Sequence, residues 1–226
     1  EPLLSPHLAE ILRIAQGYPV VTFLSTNGQM LDREPVIEAI LAHPPSYLIV
    51  ALDGLTDQTN SLYRVGARLA PALEGVRRLA ELRMARGRRL PVLHMRYLVM
   101  RHNEHELPRV PAFAQSHGFD MVTTRMLAQV DSEQARKAHA ALMPERAEYR
   151  AGRLGEALSD FVCMQPFWFP SVYADGTVVL CEQDAHASAP VGVVGDGVSF
   201  RTVWRSRDAA RVRRAIRDNP ASLSFC

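Results

Sequence analysis

Two of the three cysteines in this 226-residue chain, Cys163 and Cys181, bracket the stretch CMQPFWFPSVYADGTVVLC, and the third, Cys226, closes the sequence. The stretch reads as strand, turn, strand, with Asp175-Gly176 at the turn, and antiparallel pairing would bring its ends together. Thiols so placed can form a disulfide, serve as two ligands of a metal or iron-sulfur site, or pack as buried core side chains. Structural zinc usually draws on Cys-x2-Cys pairs, which the chain lacks. Elsewhere, Thr26 and Asn27 follow an apolar run and offer a hydroxyl and an amide to a ribose or a carboxylate; as Ser25-Thr26-Asn27-Gly28 they equally make an ordinary turn. Arg96 and Arg125 lie inside strand patterns, where a buried guanidinium must be paired, with a structural carboxylate or with an acidic ligand. Asn103 reads locally as a loop or helix cap. His94, His102, His105 and His117 show no metal-ligand spacing.

Positioning these residues is the task of an ordinary globular chain. Hydrophobic residues make up 47% and charged residues 22%, enough for a core without staples. A formal charge of +2 gives no reason to expect nucleic acid or a membrane surface as partner. Lys137 is the single lysine, so the basic charge is almost all arginine. Neither a spanning apolar run nor a signal peptide is visible, and a cytoplasmic setting is expected, which weighs against a disulfide. The chain opens Glu1-Pro2-Leu3-Leu4 without an initiator methionine, and both ends are expected to be cut from a longer parent.

Helical and strand patterns alternate over the first two thirds. Ser5-Pro6 is the expected cap of a first helix carrying Leu8, Ile11, Leu12 and Ile14. Residues 18–24 form a run apolar on both faces, expected as a buried parallel strand. A helix with Val36, Ile37, Ile40 and Leu41 ends at His43-Pro44-Pro45. Then come a strand over 46–52, a long helix marked by Leu73, Val76, Leu79 and Leu82, and a strand over 90–100. A helix with Leu107, Val110 and Phe113, a strand over 121–127 and a helix around 135–142 complete the series. Such βα units predict a parallel sheet, open or closed into part of a barrel, with active-site residues just past the strand ends. The pattern lapses over 144–160, which divides 1–150 from 151–226. In the second part Phe167, Trp168 and Phe169 are expected to pack the small domain, a platform for substrate being the alternative. A short strand is expected at 191–194 and an amphipathic helix over 200–219. Its Arg205, Arg207, Arg211, Arg213, Arg214 and Arg217 form a solvated face or a dock for an acidic partner.

Four features in order resemble the radical S-adenosylmethionine enzymes that carry a C-terminal SPASM domain. Glu1-Pro2-Leu3-Leu4 looks like the end of that family's Gly-Gly-Glu-Pro motif. Ser25-Thr26-Asn27-Gly28 and Ala51-Leu52-Asp53-Gly54 close the following strands in the family's manner. LVMRHNEHEL resembles the fifth barrel strand with its Asn-x-x-Glu exit at Asn103 and Glu106. Cys163, Gly176 and Cys181 reproduce the SPASM opening, with FRTVW and Cys226 where the pattern continues. The Cys-x3-Cys-x2-Cys loop that holds the catalytic cluster is absent from the sequence, which the resemblance attributes to truncation, and Ala51 replaces a cofactor-binding serine common in relatives.

The resemblance implies an α/β fold: a partial (β/α) TIM-like barrel over 1–150, followed by a small, truncated α+β SPASM domain with a β-hairpin over 151–226. It implies that Glu1, Pro2, Thr26, Asn27, Asp53, Arg96, Asn103 and Arg125 contact S-adenosyl-L-methionine, with Glu1 accepting from its ammonium. Cys163, Cys181 and Cys226 would ligate an auxiliary [4Fe-4S] cluster, the catalytic [4Fe-4S] ligands lying outside this chain. The complete enzyme would cleave S-adenosylmethionine to methionine and a 5'-deoxyadenosyl radical, which abstracts hydrogen from a peptide or small-molecule substrate. An electron donor such as flavodoxin or ferredoxin would supply the reduction. The rival expectation is a non-catalytic degenerate barrel acting as a peptide-binding or scaffold protein.

Overall fold

The computed structural model describes residues 1–127, 137, 140–150 and 163–226. These fall into two compact units, one built from the described residues up to 150 and the other from 163–226. The helix expected around 135–142 and the boundary expected over 144–160 lie largely outside the described residues.

The first unit holds a four-stranded sheet, β1 (Phe23–Thr26), β2 (Tyr47–Ala51), β3 (Val92–Val99) and β4 (Met121–Met126), side by side in sequence order and parallel throughout. Parallel neighbours need crossovers, here α2 (Glu34–Ala42), the pair α3 (Asp57–Ser61) and α4 (Leu69–Ala85), and α5 (Val110–Ser116); α1 (Leu8–Gln16) precedes β1. The helices converge on one face of the sheet. Val36, Ile37, Ile40 and Leu41 of α2 and Ala72, Val76 and Leu79 of α4 bury themselves against Leu48, Val50, Leu93, Met95, Tyr97 and Val99. These strand residues alternate, so their neighbours point to the other face.

On that second face the register aligns side chains in tiers. Phe23, Tyr47 and Val92 form the first tier, and Ser25, Ile49, His94 and Met121 the next. Above these come Ala51, Arg96 and Thr123, then Leu98 with Arg125. The rings of Phe23 and Tyr47 stack with centroids 4.9 Å apart.

Two local expectations are corrected. Residues 18–22 are not strand, and β1 begins only at Phe23, which is 64% exposed, as Tyr18, Val20 and Val21 are also largely exposed. Among the described strands β1 pairs with β2 alone, so apolar composition there does not mean burial. His7, not Ser5, caps α1; Ser5 Oγ instead accepts from His7 N, and Ile11 and Ile14 face outward.

The second unit carries a three-stranded antiparallel sheet, β5 (Ser171–Val172), β6 (Thr177–Val179) and β7 (Gly192–Val193). Around it lie α6 (Gln165–Trp168), α7 (Phe200–Trp204) and α8 (Arg207–Asp218). The single helix expected over 200–219 is two, because Ser206 breaks the run and caps α8 by accepting from Ala209 N. Ala209, Val212 and Ile216 of α8 enter the core with Val178, Leu180, Cys181, Val191 and Val203. Phe167, Trp168 and Phe169 do not: all three are exposed, Trp168 by 68%. Their single turn buries Pro166 instead, and Arg213 takes the inner position, its guanidinium 4.1 Å from the Trp204 ring centre and 5.6 Å from that of Phe167.

Candidate functional site

Where parallel strands end, the following loops leave a concave space. Here a cavity of about 380 Å³ opens at the C-terminal ends of all four strands, lined by Glu1, Thr26, Asp53, Arg64, Arg96 and Arg125 among others. Its size falls within the usual range for small-molecule sites, roughly 300–1,000 Å³.

Glu1 is anchored rather than frayed. Its carboxylate accepts from Thr26 Oγ1 at 2.7 Å, Asn27 N at 2.8 Å and Leu3 N at 3.1 Å. Thr26 Oγ1 in turn accepts from Gly28 N. Gly28 takes φ +75° where a Cβ would lie 2.5 Å from that of Ala72, so this position requires glycine. The turn chemistry and the ligand chemistry of Ser25-Thr26-Asn27-Gly28 therefore coexist: the turn is tight, and its polar groups aim a carboxylate at the cavity.

Asp53 is fully buried. It accepts from Leu98 N at 2.8 Å and meets Arg64 Nε at 2.7 Å. Neither Asp53 Oδ2 nor Arg64 Nε has a hydrogen bond, so the pair touches as ions without aligned hydrogen-bond geometry. Burial pushes the Asp53 carboxyl upward, opposed by Arg64 and the Leu98 amide. Arg64 had no local signal in the sequence, because the loop after α3 alone brings it back to the end of β2.

Asn103 lies outside the cavity lining. Its amide donates to Asp53 O at 2.9 Å and Leu98 O at 2.8 Å and accepts from Met100 N at 2.7 Å. Glu106 accepts from Leu55 N, Thr59 Oγ1 and the Tyr97 hydroxyl. The Asn-x-x-Glu pair thus bolts the loop after β2 to the segment after β3. Burial, with Glu106 adding to it, drives the Tyr97 hydroxyl far above its usual range and keeps it a donor.

Arg96 and Arg125 both stand on the tiered face of the sheet and line the cavity, but only Arg96 is half-buried; Arg125 is exposed, so burial does not oblige it to pair, contrary to the expectation for both. Below them His94 Nε2 sits 2.7 Å from Thr123 Oγ1. Burial, then the charges of Arg96 and Arg125, lower the His94 pKa.

In the second unit Cys181 is buried and Cys163 half-buried, and neither forms a disulfide. Burial pushes the Cys181 thiol up, and nearby Cys163 adds to the effect. Cys226 is exposed, and among the described residues no three or more His, Cys, Asp or Glu side chains gather as a metal site. Two converging thiols fall short of the four ligands of an iron-sulfur cluster. No described helix is long and apolar enough to cross a membrane.

No family model matches the sequence, and neither does any curated protein. Solved structures do match in fold. SuiB of Streptococcus suis bound to S-adenosylmethionine aligns with 94% of this chain and 55% of its own at 12% identity, TM-score 0.65. The same protein bound to its precursor peptide SuiA gives 94% and 54% at 11% identity, TM-score 0.64. AnSMEcpe with bound AdoMet and a Kp18Cys peptide gives 90% and 60% at 13% identity, TM-score 0.52. The chain spans little more than half the length of these neighbours, and it shares their fold.

Proposed function

We propose that these residues form part of a radical S-adenosylmethionine enzyme with a SPASM domain, and that the cavity at the strand ends binds the cofactor. The observation that carries this reading is the Glu1 carboxylate, held by three donors at the rim of a cavity that also contains three guanidiniums. An amino-acid moiety needs that pairing of charges, an anion for its ammonium and a cation for its carboxylate. Thr26, Asn27 and Ser25 add polar groups suited to a ribose, and Asp53 positions Arg64.

The chemistry this cofactor supplies, when bound and reduced by one electron, is hydrogen abstraction from carbon. The protein's own part is to fix both ends of the bound molecule and to keep the reacting region out of bulk water. The first unit is read as the later strands of a partial (β/α) barrel; the second is read as a truncated SPASM domain in which Cys163, Cys181 and Cys226 contribute to an auxiliary [4Fe-4S] cluster. The described thiols do not complete such a site, so no step is assigned to it. The substrate is a peptide or small molecule, and the reductant a flavodoxin or ferredoxin of the cytoplasm.

The test is to express the complete protein anaerobically, assay iron and sulfide, and look for 5'-deoxyadenosine after reduction with S-adenosylmethionine present. Cofactor cleavage is expected, with affinity for S-adenosylmethionine reduced at least tenfold in Glu1→Gln. A protein with neither cluster nor cleavage would overturn the reading in favour of a non-catalytic barrel that binds peptides.

A further inference from the structure

Among the described residues, no carboxylate answers the charges of Arg96 and Arg125. Neither forms an ion pair with any described residue, whereas Arg64 in the same cavity is matched by Asp53. The Nε of Arg96 is sealed from solvent without a hydrogen-bond partner. A buried guanidinium nitrogen in that state costs free energy that a ligand could recover.

The register explains how the two can act together. Arg96 stands opposite Thr123 and Leu98 opposite Arg125, so Arg125 lies one tier nearer the strand ends on the adjacent strand. With strands about 4.8 Å apart and two residues spanning about 6.6 Å, the two Cα atoms are roughly 8 Å apart, close enough for the long side chains to converge on one carboxylate. Both charges act on His94 beneath them.

The charge balance of the cavity says what kind of group belongs there. Glu1 and Asp53 against Arg64, Arg96 and Arg125 leave one positive charge. S-adenosylmethionine, through its sulfonium, adds a second. Two uncompensated cations in a partly enclosed space repel, and a bound anion removes the cost. We infer that Arg96 and Arg125 form a carboxylate-binding subsite for the substrate, which is therefore an acidic molecule: a peptide with Asp or Glu close to the reacting carbon, or a small carboxylic acid. The carboxylate-binding geometry stands on the two arginines, whereas the acid's being the substrate, and the sulfonium's share of the charge, rest on the cofactor reading above.

The carboxylate could also be the cofactor's own, and a single binding experiment separates the sources. The full chain, Arg96→Gln, Arg125→Gln, the double glutamine variant and the double lysine variant are titrated with N-acetylglutamate, S-adenosylmethionine and decarboxylated S-adenosylmethionine. Thermal unfolding confirms that each variant folds. The expected result is that the double glutamine variant loses at least tenfold in N-acetylglutamate affinity and the lysine variant recovers part of it. The preference for S-adenosylmethionine over its decarboxylated form should change by less than about threefold. Undiminished N-acetylglutamate binding in the double glutamine variant overturns the inference, as does failure of the unaltered chain to bind it. Loss of the preference for the carboxylated cofactor also overturns it, by reassigning both arginines to that ligand. Arginine-dependent N-acetylglutamate binding by a chain that ignores S-adenosylmethionine would uphold the subsite and remove the cofactor reading.

Discussion

Replacing Asn103 with alanine separates two roles that one residue could have. If its task is to bind ligand, the substitution weakens binding and leaves the fold intact. The geometry points the other way, because the amide donates to Asp53 O and Leu98 O and accepts from Met100 N in a fully buried position. Truncation strands the Met100 amide without an acceptor and removes one donor from each carbonyl. At about 1 kcal/mol for each broken bond, the local loss is about 3 kcal/mol, and burial of the amide pushes it upward rather than down. Every 1.4 kcal/mol is tenfold, so amide exchange across residues 98–100 should accelerate on the order of a hundredfold. Hydrogen exchange read by mass spectrometry checks this, with residues 163–226 as the internal reference. Asn103→Asp keeps the acceptor for Met100 N but buries a charge in place of two donors, and should be at least as damaging. Unchanged protection in Asn103→Ala, within about threefold, together with lost S-adenosylmethionine binding would refute the structural account and make Asn103 a ligand.

Two further expectations follow from named contacts. The Asp53 carboxyl is raised by burial, so the stability tied to its proton is present below the unfolded value of about 3.9 and is lost as pH rises through the higher folded value. Arg64→Gln removes the foremost opposing influence and should steepen that loss from about pH 4 upward, whereas Asp53→Asn should abolish it; parallel thermal-unfolding curves across pH for the three proteins would contradict the assignment. In the second unit Arg213 donates to Pro166 O at 3.1 Å and Trp204 O at 2.9 Å while lying over the Trp204 ring. Arg213→Ala should cost about 2 kcal/mol and shift tryptophan emission to the red, and Arg213→Lys should not restore it, since a lysine cannot keep the planar stack and both bonds.

Much of the first unit was legible because its signals are local. The apolar spacing of Val36, Ile37, Ile40 and Leu41 and the continuous runs around Leu48 and Leu93 name a helix and two buried strands without help from distant residues. The same kind of run at 18–22 misled, since hydrophobicity does not reveal whether a strand has neighbours on both sides. The site shows the same division. Thr26, Asn27 and Asp53 could be found because turn residues follow strand ends, but Arg64 could not, as its pairing with Asp53 exists only once the loop closes. Asn103 and Glu106 were conspicuous in position, yet what they do depends on partners around fifty residues away, Asp53 for one and Leu55 for the other. Phe167, Trp168 and Phe169 carried core chemistry in their composition, and a one-turn helix too short to bury them left them outside.

The tiers along the second face of the sheet amount to a compass. Aromatic rings stand at one end, in Phe23 and Tyr47, and guanidinium groups stand toward the other, in Arg96 and Arg125. Ile49 and His94, buried between them, close the middle of that face, and the cavity lining stops at Ser25, Ala51 and Arg96. The register of the sheet thus presents a guest with the arginine end alone and keeps the stacked rings out of its reach.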